Sequence, residues 1–297
     1  MCKILVIFTG GTIACKLNSG IMDTDEKSAY QLIEKYCSED KTVSFETQTP
    51  YFILSENLSG EYIAKLCRCA EEALLKDFDG IIVTHGTDTL QYSAAALDIF
   101  FGREKIPIVL VSSNHPLDEK GANGFVNFCA AVEYIKQGNK GGVFVAYKNN
   151  NDPLKFHNPK ELLDYDCFSD CLRSADIDVK DDEISLNLEI NLNKKSPVLR
   201  FKAYPGMEYP SVDGYKCAVI DTYHSGTIKT DDKEFLNFVR KSDIPVVLTG
   251  VSDGDIYKSA EDLKAAENVV FSRYCPIYTY MKCWILAENS LDIEKYL

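Results

Sequence analysis

Apolar positions in the first half of the chain follow two alternating periods. Short runs predict strands over Lys3–Phe8, Val43–Gln48, Gly80–Thr84, Pro107–Val111 and Gly142–Tyr147. The run Ile81-Ile82-Val83 reads as a buried strand, and Val43–Gln48 alternates. Between these runs the spacing lengthens to 3.6 residues. Lys27–Tyr36 places Leu32, Ile33 and Tyr36 on one face. Ser59 can cap a helix whose apolar positions are Ile63, Leu66, Cys67, Ala70 and Leu74. Asp88–Phe101 and Gly121–Gln137 complete the predicted helices of this half. Strands alternating with helices imply parallel βαβ units and a doubly wound sheet.

The pattern dissolves from Lys148 to Asp182 into a polar stretch rich in Asn, Asp and Lys. Ile184–Leu192 and Val198–Phe201 read as a short antiparallel excursion. A second α/β block follows, with strands over Lys216–Asp221, Pro245–Thr249 and Asn268–Phe271. Its helices are predicted near Asp231–Lys241, Tyr257–Ala266 and Pro276–Ala287. The expected fold class is therefore α/β with two domains. Residues 1–190 form the larger, mainly parallel doubly wound domain, and residues 191–297 a smaller C-terminal α/β domain.

Composition narrows the function. The 297 residues carry a net charge of −13, which repels phosphate backbones and anionic lipid, so neither nucleic acid nor a membrane is an expected partner. No apolar run approaches the roughly 18 residues of a membrane span. The apolar stretch Ile4–Phe8 is too short for a signal peptide and reads as a first strand. The 11 cysteines are odd in number and include no CxxC pair; Cys67-x-Cys69 sits on a predicted helix as small hydrophobes. Reduced thiols in a cytoplasmic protein are the expectation. His115, His157 and His224 lack metal-ligand spacing, so no metal or other cofactor is expected.

In a doubly wound sheet, chemistry gathers beyond the carboxyl ends of the strands. Two loops there stand out. Thr9-Gly10-Gly11-Thr12-Ile13-Ala14 follows the first strand: its glycines let backbone approach a ligand and present N–H groups, and Thr12 brings a hydroxyl. A tight turn or a phosphate cradle would look the same. His85-Gly86-Thr87-Asp88-Thr89-Leu90 follows Gly80–Thr84 and sets a hydroxyl before a carboxylate. The plain reading of Thr87-Asp88 is a helix cap.

Together these loops resemble the TGGTIA-like and HGTDTL-like signatures of the bacterial-type asparaginase/glutaminase family. The likeness extends through Asp79–Ala96, Ser113–Asp118 and Ser252–Ser259. The resemblance implies acyl transfer without a cofactor, on a small amino-acid amide. Thr12 would be the nucleophile, and Thr87 would move protons with a lysine and a carboxylate. Asp88 would grip the substrate's α-amino group, and Ser55 its α-carboxylate. Gly11, Glu56 and Gly86 would complete the substrate site. The lysine is assigned to Lys160 in Asn158-Pro159-Lys160, with Lys155 as competitor. His85 is expected to be a structural hydrogen-bonding residue. The family implies a homodimer or homotetramer.

Three departures from the family pattern stand out. The loop after the first signature is shortened, and Ile21 stands where an assisting tyrosine is expected; Tyr30 is near in sequence. Asp253 and Asp255 occupy positions where amides are common. Tyr278, Tyr280, Met281 and Trp284 dominate the last helix in place of small and acidic residues. The leading expectation is L-asparaginase activity. The alternatives are an amidase for another small amide such as glutamine, and a non-catalytic amino-acid-binding relative. A branch that delivers ammonia to misacylated tRNA is disfavoured by the negative charge and the absence of an appended domain.

Overall fold

The computed structural model describes residues 1–18, 21–24, 26–177, 186–231, 233–250, 257–264, 266 and 268–297, with no description of the side chains of 16–18, 21–24, 26–28, 260, 262 and 264. They fold as two compact units, Met1–Ser174 and Ala175–Leu297. The sequence boundary at 190/191 lies beyond this division. Asn149 and Tyr147 bind the backbone of Leu172 and Asp170, and Glu189 and Asn193 are tied to Asn289 and Glu288. The polar stretch is thus shared between the units instead of closing the first.

The first unit contains β1 (Cys2–Phe8), β2 (Cys15–Asn18), β3 (Ile21–Thr24), α1 (Glu26–Glu39), β4 (Val43–Gln48), α2 (Gly60–Leu74) and β5 (Gly80–Thr84). It continues with α3 (Leu90–Phe101), β6 (Pro107–Val111), α4 (Gly124–Lys136), β7 (Gly142–Tyr147) and β8 (Lys155–His157). Its sheet runs β4-β1-β5-β6-β7-β8, parallel except for the antiparallel edge strand β8. β1, β5 and β6 are the centre. Helices cover both faces of such a sheet, which is why these strands are continuous apolar runs without alternation. On one face Ile4, Val6 and Phe8 meet Leu32 of α1 and Phe128 and Val132 of α4.

The predicted strands of this unit appear with nearly their expected bounds, but two helices start late. Thr89 (φ −127°, ψ 15°) precedes α3, so Thr87 and Asp88 lie in a turn before the helix. Gly121 at φ +94° cannot be helical, and α4 begins at Gly124. The shortened loop is a β2–β3 hairpin in which Ile21 pairs with Asn18.

The second unit contains β9 (Val198–Lys202), β10 (Cys217–Asp221), α5 (Glu234–Lys241), β11 (Val246–Thr249), α6 (Lys258–Lys264), β12 (Val269–Phe271), α7 (Pro276–Glu288) and α8 (Ile293–Tyr296). Its sheet, β12-β11-β10-β9, is parallel throughout. The antiparallel excursion is therefore corrected: Val198–Lys202 pairs parallel to β10, and 186–192 is not a strand. Residues 184 and 185 and Asp253 and Asp255 lie outside the described residues. No described helix is long and apolar enough to cross a membrane.

Candidate active site

Strands β4, β1 and β5 are neighbours and run parallel, so the segments that follow them leave the same edge of the sheet. Those segments carry Ser55, Thr12 and the pair Thr87-Asp88. Backbone bonds splice the first two together: Ile53 N–H donates to the Thr9 carbonyl (3.1 Å) and Gly11 N–H to the Ile53 carbonyl (3.0 Å). Thr9 Oγ1 donates to the Thr84 carbonyl at 2.8 Å, tying the ends of β1 and β5.

Glycine is required where these segments touch. Gly11 holds φ +76°, and a Cβ on it would lie 2.2 Å from Gly86 Cα. A Cβ on Gly86 would lie 2.5 Å from Ser55 Cβ and Oγ. Gly11, Gly86 and Ser55 are thus stacked without room for another carbon. Gly11's own N–H is committed to Ile53, so it contributes close approach and not an inward donor.

Thr12 opens a 3₁₀ turn, Thr12–Ala14, closed by Ala14 N–H to the Gly11 carbonyl at 2.9 Å. Ile13 and Ala14 are buried in the core beneath, and helix α1 packs on the turn. Thr12 itself is partly exposed. Asp88 is exposed and accepts a hydrogen bond from Ser55 Oγ at 3.3 Å, while Thr89 Oγ1 donates to the Ser55 carbonyl at 2.9 Å. Glu56 is exposed beside buried Ser55.

His85 is fully enclosed. Its Nδ1 lies 2.9 Å from the Gly86 carbonyl, which can only accept, so Nδ1 carries the proton. Nε2 then accepts from Ser93 Oγ at 2.8 Å. Burial pushes its pKa down to about 4, keeping the ring neutral. Both ring nitrogens are occupied in holding the signature loop.

The two lysine candidates separate. Lys155 is exposed on the edge strand β8. Lys160 is buried in the 3₁₀ turn Pro159–Glu161, which packs against α3, the helix that follows Asp88. Sequence reasoning passes over Gln91 and Tyr165. Gln91 Nε2 donates to the Leu163 carbonyl at 3.4 Å, bringing the 162–174 loop to the first turn of α3. Burial is the first cause that raises the Tyr165 hydroxyl above the ordinary phenol range, followed by its interaction with the Tyr147 hydroxyl and then by the carboxylates of Asp170 and Asp88. An isolated tyrosine between aspartates in an aperiodic loop carries no local signal of this position.

The sequence profile described as "Asparaginase, N-terminal" matches residues 3–159. The chain belongs to the asparaginase family. It is an asparaginase-family enzyme of the amidohydrolase or amidotransferase kind. A glutamyl-tRNA(Gln) amidotransferase subunit from Methanosarcina acetivorans is 27% identical over 99% of this chain and 76% of its own. Its namesake from Archaeoglobus fulgidus is also 27% identical, over 98% and 76%. The fold matches the thermostable L-asparaginase from Thermococcus kodakarensis with TM-score 0.80 at 23% identity, covering 99% of this chain and 95% of that one. A probable cytoplasmic L-asparaginase from Campylobacter jejuni gives TM-score 0.73 at 20% identity, covering 100% and 99%. The amidotransferase branch, disfavoured by the negative charge of the sequence, is thus represented among the relatives.

Proposed function

We propose that this asparaginase-family chain is an L-asparaginase, converting L-asparagine to L-aspartate and ammonia in the cytoplasm as a homodimer or homotetramer. The observation that carries the reading is the stack of Gly11, Gly86 and Ser55, which draws Thr12, Ser55 and Asp88 to one edge of the sheet. Thr12 Oγ attacks the side-chain amide carbon as its proton passes to Thr87, and from there toward Lys160. The C–N bond breaks, ammonia leaves with a proton, and water then hydrolyses the threonyl ester to release aspartate. Asp88 pairs with the substrate ammonium and Ser55 with its α-carboxylate. Gly86 and Gly11 keep the backbone close enough for this, and Glu56 borders the substrate. No cofactor is required.

Ammonia release from asparagine and from glutamine by the purified chain tests the reading. Thr12→Ala should abolish release, and Lys160→Met should lower it by about 10²-fold or more. Lys155→Met should leave it unchanged; the reverse pattern would move the proton path to Lys155. Tight aspartate binding with no hydrolysis would leave an amino-acid-binding relative.

A second reading comes from the amidotransferase relatives at 27% identity. In it the same acyl-enzyme chemistry supplies ammonia to a partner chain, and hydrolysis by the isolated chain is slow.

A further inference from the structure

The proton path proposed above joins two segments that lie far apart in the chain. Thr87 belongs to the loop after β5, and Lys160 to the 3₁₀ turn Pro159–Glu161 after β8. Proton transfer needs the side chains within hydrogen-bond reach, so the two segments must be held in a common frame. Helix α3 touches both. Ser93 Oγ lies 2.8 Å from His85 Nε2 and holds the signature loop. Gln91, two residues earlier in the same helix, donates from Nε2 to the Leu163 carbonyl at 3.4 Å. The Pro159–Glu161 turn itself packs on α3, and Lys160 is buried at that junction, where it is not free in the resting protein.

Gln91 is 1% exposed, and an amide is an unfavourable side chain for such a position. The Leu163 carbonyl can only accept, so the amide nitrogen must face it and the oxygen must face away. That oxygen, Oε1, is buried and has no hydrogen-bond partner among the described residues. A buried acceptor without a partner lowers stability, and one long bond to a carbonyl returns little of it. An apolar side chain of the same length would fold at least as well. A polar group that stability does not explain, at the junction of two site segments, points to a task in the site.

We propose that Gln91 is a positioning residue for Lys160: through the Leu163 carbonyl it fixes the 159–163 segment on α3, so that the Lys160 side chain meets Thr87 at the distance proton transfer needs. The inference rests on the proton path from Thr87 toward Lys160 proposed above. The bond touches neither Ser55 nor Asp88, so it acts on the chemical step and not on ligand binding.

Gln91→Met in the full chain tests this, since methionine keeps the length and the helix preference and removes the amide. The kcat for ammonia release from asparagine should fall about 10-fold, with KM and calorimetric aspartate affinity unchanged. Tm should hold, because an unpaired buried acceptor leaves together with the long bond. The loss should vanish in a Lys160→Met background, because the amide acts only through that lysine. Unchanged kcat in Gln91→Met, with Lys160→Met impaired, overturns the inference and leaves the proton path standing. An equal loss with and without Lys160 also overturns it, as does a marked fall in Tm with kcat and KM changing together, which would make Gln91 a packing residue. Full activity in Lys160→Met, or a parent that releases no ammonia, overturns the proton path and the inference together.

Discussion

At the scale of single residues, a neutral buried histidine makes stability depend on pH. His85 is pushed down to about 4 by burial, against roughly 6.5 in an unfolded chain. As pH falls through the unfolded value, the unfolded chain takes up protons that the folded protein refuses. Stability is therefore full above about pH 6.5 and is lost progressively down to the folded pKa, by about 2 kcal/mol at pH 5. His157, also pushed down to about 4 by burial and then by the charge of Lys155, adds a loss of the same sign. Urea unfolding between pH 7 and 5 should show this slope, and His85→Gln should flatten it. An equal slope in the variant would mean that other groups set the pH response. The same histidine shows what a motif conveys. HGTDTL marks the place of a site, but whether its histidine is a base depends on Ser93 and the Gly86 carbonyl, which occupy both nitrogens.

At the scale of elements, the 162–174 loop, which follows Lys160 and carries Tyr165, is held at several points, and its two-bond clamp is one side chain just after β7. Asn149 Nδ2 donates to the Leu172 carbonyl at 3.0 Å, and its Oδ1 accepts from Leu172 N–H at 2.9 Å. Asn149→Ala would leave both backbone groups of a buried leucine unpaired, at a cost of about 1–3 kcal/mol. The variant should be cut faster by protease within residues 163–173, with β1 and β5 unaffected. Cleavage as slow as in the parent would show that the loop is held elsewhere. Elements also differ in how plainly they are written. The central strands are visible because burial on both faces forces uninterrupted Val, Ile and Leu. The direction of β9 is not, since Val-Leu-Arg-Phe-Lys would fit an antiparallel partner as well as the parallel β10. The β2–β3 hairpin is not legible because Cys-Lys-Leu-Asn is too short to establish a period.

At the scale of the whole molecule, all 11 cysteines are free and most are enclosed. Cys67 and Cys217 are 0% exposed, and Cys167 is the exposed one among them. Burial pushes the Cys69 thiol up to about 11 and Cys67 higher still, leaving little thiolate near neutrality. Native alkylation should therefore label Cys167 first, as read by peptide mass spectrometry. Denaturant should raise the count to 11. Rapid native labelling of Cys67 or Cys217 would contradict the packing of α2 or β10.

The sequence by itself determined where the central strands lie, that helices alternate with them, and which loops carry hydroxyl and carboxylate groups. These are local matters: burial on both faces, a 3.6-residue period and a glycine that must admit backbone are each written within a few positions. Tertiary structure alone decided that β4 lies beside β1 and β1 beside β5, and with that order Ser55, Gly11 and Gly86 arrive at one point. It also separated buried Lys160 from exposed Lys155 and brought the Leu163 carbonyl to Gln91 in the first turn of α3. Such encounters join residues tens of positions apart through strand pairing and helix packing, and no local period encodes the partner.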